Sequence, residues 1–180
     1  FVLVLLVERA PELRTGGYVV NLWGVGYDAM EKMGLLPKML EQQYETDELR
    51  MVDRQGRTRG GYPSQALQDL ADGRIVTLAR ADIAAAIYGL IDNRVETVFG
   101  DSVKTIEDDG VRAHVGFEHA QPRVVDLVGG ADGLHSKIRQ ITFGADTQFE
   151  RPMGCHVASF EVAGYRPRND NLYVAHTAPG

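Results

Sequence analysis

The segment from Asp126 to Arg139, read in full as DLVGGADGLHSKIR, constrains the fold of this chain more than any other. The apolar run Val124–Val128 is broken only by Asp126 and enters the turn Gly129-Gly-Ala-Asp-Gly133. A helical pattern, His135–Phe143, follows. Such a strand–turn–helix carries bare backbone close to a ligand, because glycine has no Cβ to block the approach. The new helix adds unpaired amides and the positive end of its dipole, a geometry suited to a phosphate-bearing cofactor. Asp132 is out of place in a plain phosphate cradle, since carboxylate and phosphate repel. Its presence predicts that the turn also handles hydroxyl groups.

The rest of the chain fits a globular α/β protein. Of 180 residues, 44% are hydrophobic and 24% charged, enough for one domain or one and a part. A net charge of -6, with no basic run interleaved with aromatics, argues against a nucleic-acid binder. Cys155 is the single cysteine, which excludes an intrachain disulfide, and no Cys/His spacing resembles a zinc or other metal site. The longest apolar run, Phe1–Val7, is far short of the roughly 20 residues that span a bilayer. It lacks the flanks of a signal peptide, so no membrane association and a cytoplasmic location are expected. The chain opens inside a strand-like run without Met and stops soon after another, and it reads as a fragment of a longer protein.

Phe1–Val7 reads as a buried parallel strand ended by charge. Tyr18–Trp23 reads as a short strand, in which Tyr18 and Trp23 are either core or pocket wall. Tyr27–Leu36 reads as a helix, with Gly34 and Pro37 near its end. Leu49–Val52 and Arg57–Tyr62 form a polar hairpin around Asp53–Gly56, and Val76–Ala79 is strand-like. Asp82–Ile91 carries an apolar stripe of Ile83, Ile87, Leu90 and Ile91 and predicts a helix. Val95–Phe99, Ser102–Glu107 and Val111–Phe117 are successive strands, with Asp108-Asp-Gly110 as a tight turn. Met153–Val162 and Asn171–His176 are further strands. Buried and alternating strands mixed with helices indicate an α/β protein with an antiparallel component.

Three places carry candidate chemistry. Glu8 ends the first strand, where a carboxylate accepts hydrogen bonds from both hydroxyls of a ribose, or simply meets solvent. Arg80 stands just before the Asp82–Ile91 helix, where a cation opposes the dipole. Either Asp82 offsets it locally or a cofactor phosphate does. Asp132, Gly133, Ser136 and Arg139 form the richest set, read either as an ordinary glycine turn with a capping Ser or as a cofactor site. No Ser-His-Asp pattern and no nucleophile elbow is present, and no catalytic acid or base is assigned.

Taken in order, these blocks resemble the FAD-dependent aromatic hydroxylases, the family typified by para-hydroxybenzoate hydroxylase. Val7–Pro11 followed by Gly16-Gly17 resembles the end of the family's second strand, whose Glu binds the adenosine ribose. Leu78–Ile83 resembles its R-x-x-L segment, whose Arg contacts the cofactor near the pyrophosphate. Gly130–Arg139 resembles its G-A-D-G-x-x-S-x-V-R motif, which contributes to binding both FAD and NAD(P)H. Gly16–Leu36 is most similar to the tetracycline-inactivating and polyketide hydroxylase subgroup. The family's N-terminal G-x-G-x-x-G loop and its later Gly-Asp motif have no counterpart, so the resemblance covers the middle of the pattern. It implies a Rossmann-like FAD-binding domain, a parallel sheet plus an antiparallel meander, over 1–45 and 75–150. Part of a mixed-sheet substrate domain falls to 46–74 and 151–180. The implied cofactors are FAD and NAD(P)H, held by Glu8, Arg80 and Asp132, with Arg9, Gly133 and Arg139 alongside. The implied reaction is hydroxylation of an aromatic or polyketide-like small molecule. A halogenase or reductase of the same fold, or a non-catalytic interaction domain, are the alternatives; the single Trp23 does not supply the Trp-rich motif of a halogenase.

Overall fold

The computed structural model describes residues 3–91, 94–160, 162–164 and 171–178. The chain divides into two compact units, Phe1–Arg14 with Ile91–Ala158, and Thr15–Leu90 with Ser159–Gly180. Parallel and antiparallel pairings both occur, so the architecture is mixed α/β.

In the first unit, β1 (Leu5–Glu8) runs parallel to β6 (Glu96–Phe99), in register from Leu5 opposite Glu96 to Glu8 opposite Phe99. β7 (Val103–Asp108), β8 (Ala113–Phe117) and β9 (Arg123–Val125) form an antiparallel meander. Asp109 closes the first hairpin by accepting the amides of Val111 and Arg112. Asp101 joins the two sheets. It is buried, and its carboxylate accepts the amides of Ser102, Glu118, His119 and Ala120, while its own amide donates to the Glu8 carbonyl. Burial pushes the Asp101 pKa up, but the four amides outweigh it and hold the carboxyl below its ordinary value.

In the second unit, β2 (Val19–Trp23) pairs antiparallel with β5 (Ile75–Ala79). Helices α1 (Val25–Lys32), α2 (Leu36–Gln42) and α4 (Arg80–Ile91) flank this pair. Tyr27, Met30, Leu35, Leu36, Met39, Val76, Leu78 and Ala86 form its core. Removing a side chain such as Leu78 from water contributes about 1.5–3 kcal/mol. A separate mixed sheet orders β10 (Leu172–His176), β3 (Glu48–Val52) and β4 (Thr58–Pro63), with α3 (Gln65–Leu70) after β4.

Several expectations need correction. The helix expected over Tyr27–Leu36 is two helices. Gly34, at φ 71, stops the first in a left-handed turn, with Leu35 donating to the Met30 carbonyl. Pro37 then sits in the first turn of α2, where its missing N–H costs nothing. The Phe1–Val7 strand is shorter and only half-buried, because among the described residues β6 is its one paired neighbour; Phe1 and Val2 lie outside those residues. β9 ends at Val125, and Leu127 is exposed, so the run to Val128 is not strand. Of the strand expected over Met153–Val162, Met153–Phe160 and Val162 form none and pair with nothing among the described residues, and Val157 and Phe160 are exposed; Glu161 lies outside the described residues. In α4 the buried residue is Ala86, flanked by the partly buried Ile83 and Ile87, while Leu90 faces outward. Tyr18 and Trp23 are half-exposed rather than core. α3 had no periodic apolar stripe to announce it, and none of its residues is buried.

Candidate functional site

The Gly129–Arg139 turn is held by its own side chains. Ser136 is the N-cap of α5 (Lys137–Phe143), and its Oγ accepts the Arg139 amide at 3.0 Å. Asp132 does the rest. One carboxylate oxygen accepts the Ser136 hydroxyl in a short hydrogen bond, and the other accepts the amides of Lys137 at 2.6 Å and Ile138 at 3.1 Å. This overturns one sequence expectation. The first amides of α5 are not free for a phosphate, because Asp132 and Ser136 already occupy them. Asp132 is thus a cap, and its proximity to helix amides is favourable rather than awkward. Desolvation raises its pKa, but the Ser136 hydroxyl and the backbone amides prevail and hold it below the ordinary carboxylate value. A carboxylate offers about four lone-pair positions. Ser136, Lys137, Ile138 and the backbone amide of Asp132 itself all act on them here.

The two glycines that flank Asp132 have different duties. A Cβ on Gly130 would lie 2.9 Å from Ile138 Cγ2, so this position lets the turn pack on α5. Gly133, at φ 85, has no atom within 4 Å of where a Cβ would stand. It presents bare backbone to open space. Gly130, Asp132, Gly133, Ser136, Arg139, Phe143 and Phe149 line an open concavity of about 490 Å³.

Arg139 is engaged within the protein. Its Nη2 donates to the Leu134 carbonyl at 2.6 Å and to Asp146 Oδ1 at 2.7 Å, and its guanidinium stacks 5.6 Å from the Phe149 ring centre. Its Nε is buried without a hydrogen-bond partner among the described residues. Hydrogen bonding to Arg139 lowers the Asp146 pKa despite desolvation, aided by Gln140. His135, Asp146 and Glu150 bring ligand-type atoms within 4.8 Å of one another. Arg139 and Gln140 occupy the two Asp146 oxygens and His135 pairs with Glu150, so the trio is an ion-pair cluster.

The other expected residues lie elsewhere. Glu8 ends β1 in the same unit. Its Oε1 accepts the Ala10 amide at 2.7 Å, and Arg14 stands 4.0 Å away. Its Oε2 takes no hydrogen bond among the described residues. Arg9, next to it, is exposed. Arg80 belongs to the second unit and is the first residue of α4. Its amide donates to the Tyr18 carbonyl and its guanidinium lies 5.7 Å from the Tyr18 ring centre. Among the described residues it forms no ion pair with Asp82 or any other acid. The structure therefore brings together Asp132, Gly133 and Arg139, and leaves Arg80 in a different unit. Sequence reasoning missed Asp146 and Phe149, which lie beyond the motif with no local signal. It missed Asp101 too, although the turn Gly100-Asp-Ser102 between two strands marks that position.

No protein-family model matches the chain. It is 38% identical over 166 residues to an uncharacterized protein of Mycobacterium tuberculosis, covering 90% of this chain and 44% of that protein. It is 31% identical over 188 residues to an FAD-dependent monooxygenase of Sarocladium schorii, covering 98% of this chain and 43% of that one. The chain thus spans less than half the length of these relatives. Among solved structures, tetracycline destructase Tet(51) is similar at a TM-score of 0.64 and 28% identity, over 77% of this chain and 34% of that one. Klebsiella pneumoniae HpxO, solved with FAD and uric acid, shares the fold at a TM-score of 0.59 and 23% identity, over 74% of this chain and 34% of its own. Sequence blocks, fold and relatives agree: this chain is a partial-length homologue of the flavin-dependent monooxygenases.

Proposed function

We propose that the full-length protein is an FAD-dependent monooxygenase that uses NAD(P)H and oxygen to hydroxylate an aromatic or polyketide-like small molecule. The observation that carries this reading is the turn itself. Asp132 caps α5, organises the turn, and stands beside the bare backbone of Gly133. Homology to FAD-dependent monooxygenases supports it.

The residues present fit a nucleotide cofactor. Glu8 has a spare carboxylate oxygen at a strand end, suited to a ribose hydroxyl. Arg80 has a guanidinium without an acidic partner among the described residues, suited to a pyrophosphate. Arg9 adds positive charge next to Glu8. Arg139 serves the cofactor indirectly, by bracing the turn. Bound FAD would supply the oxygen-activating redox chemistry, and the protein's part is to bind, orient and exclude water. In this reading 1–45 and 75–150 form the Rossmann-like FAD-binding part, and 46–74 with 151–180 contribute to the substrate part.

Purification of the full-length protein tests this directly. The expected result is flavin absorbance, and NAD(P)H oxidation stimulated by a phenolic or polyketide substrate with one oxygen atom gained by the product. A protein that binds no added FAD refutes the reading. One that binds FAD but never transfers oxygen refutes the monooxygenase part alone.

A further inference from the structure

We propose that Asp146 is a positioning residue for the Gly129–Arg139 turn: through Arg139 it fixes how Asp132 and Gly133 meet a bound flavin nucleotide. This rests on the flavin reading above.

The clasp is built from consecutive residues just after α5. Asp146–Gln148 form a 3-10 turn, and the amides of Phe149 and Glu150 both donate to the Asp146 carbonyl at 2.8 Å. The segment is thereby closed on itself and offers three side chains to one side. Asp146 takes Arg139 on Oδ1, and Gln140 Nε2 on Oδ2 at 2.5 Å. Phe149 lies under the Arg139 guanidinium. Glu150 Oε1 meets His135 Nδ1 at 2.9 Å. The clasp thus reaches Leu134 and His135, the two residues immediately after Gly133, as well as Arg139.

The need for it follows from Gly133. Gly133 is left-handed and has no side chain of its own to pack, and the space where a Cβ would stand is open, so its conformation depends on what holds the residues around it. Asp132 anchors the turn on one side, through the α5 amides. On the other side the Leu134 carbonyl is gripped by Arg139, whose Nη2 donates to Leu134 and to Asp146 at once. The Arg139 and Asp146 side chains are only 24% and 18% exposed, which distinguishes this pair from freely solvated surface pairs.

The test uses the full-length protein. FAD affinity is measured by quenching of flavin fluorescence for wild type, Asp146→Ala, Asp146→Glu and Arg139→Lys. Val115→Ala, a buried change in the same unit away from the turn, serves as a stability control. Asp146→Ala and Arg139→Lys are expected to weaken FAD binding on the order of tenfold, because a loosened turn misplaces its groups and Lys lacks the planar guanidinium that lies over the Phe149 ring. Asp146→Glu recovers part of the loss, and Val115→Ala lowers the melting temperature without moving the affinity. Residue-resolved amide exchange of the apoprotein should show Lys137, Ile138 and Arg139 deprotected in Asp146→Ala, with the Leu78 strand unaffected. Wild-type affinity in Asp146→Ala, or an equal loss in Val115→Ala, overturns the proposal. Wild type that itself binds no FAD sinks the flavin reading instead. The exchange pattern then still decides, since unchanged protection in Asp146→Ala refutes the clasp.

Discussion

Gly130 and Gly133 stand three residues apart in one turn, and alanine should fail at each for a different reason. At Gly130 the backbone does not enter the left-handed region, so the obstacle is space. The added Cβ would lie 2.9 Å from Ile138 Cγ2 and 3.0 Å from Ile138 Cβ. Carbon pairs are comfortable at about 3.5–4.0 Å. Relieving that overlap requires α5 to shift, and overpacking of this kind costs about 1–3 kcal/mol. At roughly 2–4 °C per kcal/mol for a chain of this size, Gly130→Ala should melt about 2–12 °C below wild type. At Gly133 there is space, but φ is 85, and a left-handed alanine costs roughly 1–2 kcal/mol through its backbone alone. Ile138→Ala separates the two mechanisms. It deletes the Cγ2 that Gly130→Ala strikes, so the Gly130→Ala/Ile138→Ala pair should show a favourable coupling of about 0.5–3 kcal/mol in a double-mutant cycle followed by thermal melting. The same cycle with Gly133→Ala should be additive. A Gly130→Ala variant that melts with wild type, or that is additive with Ile138→Ala, refutes the claim that this glycine exists to seat α5.

Further outcomes follow from the same contacts. Asp132→Ala should lose about 0.5–2 kcal/mol in urea unfolding, the worth of a helix cap, while Asp132→Asn, which keeps an acceptor for the α5 amides, should lose less. Arg80→Gln should weaken FAD binding in a salt-sensitive way and lower the apoprotein melting temperature only slightly, because among the described residues it loses a ring contact with Tyr18 but no ion pair; equal affinity at low salt counts against a phosphate role. Acid should destabilise the first unit. The carboxyls of Asp101, Asp109 and Asp132 lie below their ordinary value of 3.8 in the folded state, Asp109 at about 2, chiefly through the Arg112 amide and His114. Their contribution is complete above pH ~4 and drains away as the pH falls toward ~2. The urea midpoint should drop over that window, and Asp101→Asn should flatten the drop.

Much of the fold was legible because its signals are local. β2, β5, the Glu48–Pro63 hairpin and the meander all announce themselves through alternation and turn residues. The errors arose where a neighbour decides. Val157–Phe160 has strand-like residues, yet it joins no ladder among the described residues. Pro37 read as a terminator, yet it opens α2, since proline is equally at home in a helix's first turn. The site divides the same way. Asp132, Gly133 and Ser136 lie in one short motif and were readable together. Asp146 and Asp101 act on groups brought to them by folding, and no spacing in the sequence encodes that.

Asp132 shows how far a motif can be pushed by chemistry alone. A carboxylate in a glycine turn looked hostile to phosphate and pointed to hydroxyls instead. The structure gives a stronger reason for the same direction. The α5 amides that a phosphate would need are consumed by Asp132 and Ser136, so the turn is organised before any ligand arrives. What it offers outward is the uncovered backbone of Gly133. Under the flavin reading proposed above, a sugar hydroxyl suits such a turn better than a phosphate does. In that reading the anionic part of the cofactor is left to cations rather than to the α5 amides, and Arg9 and Arg80 are both exposed.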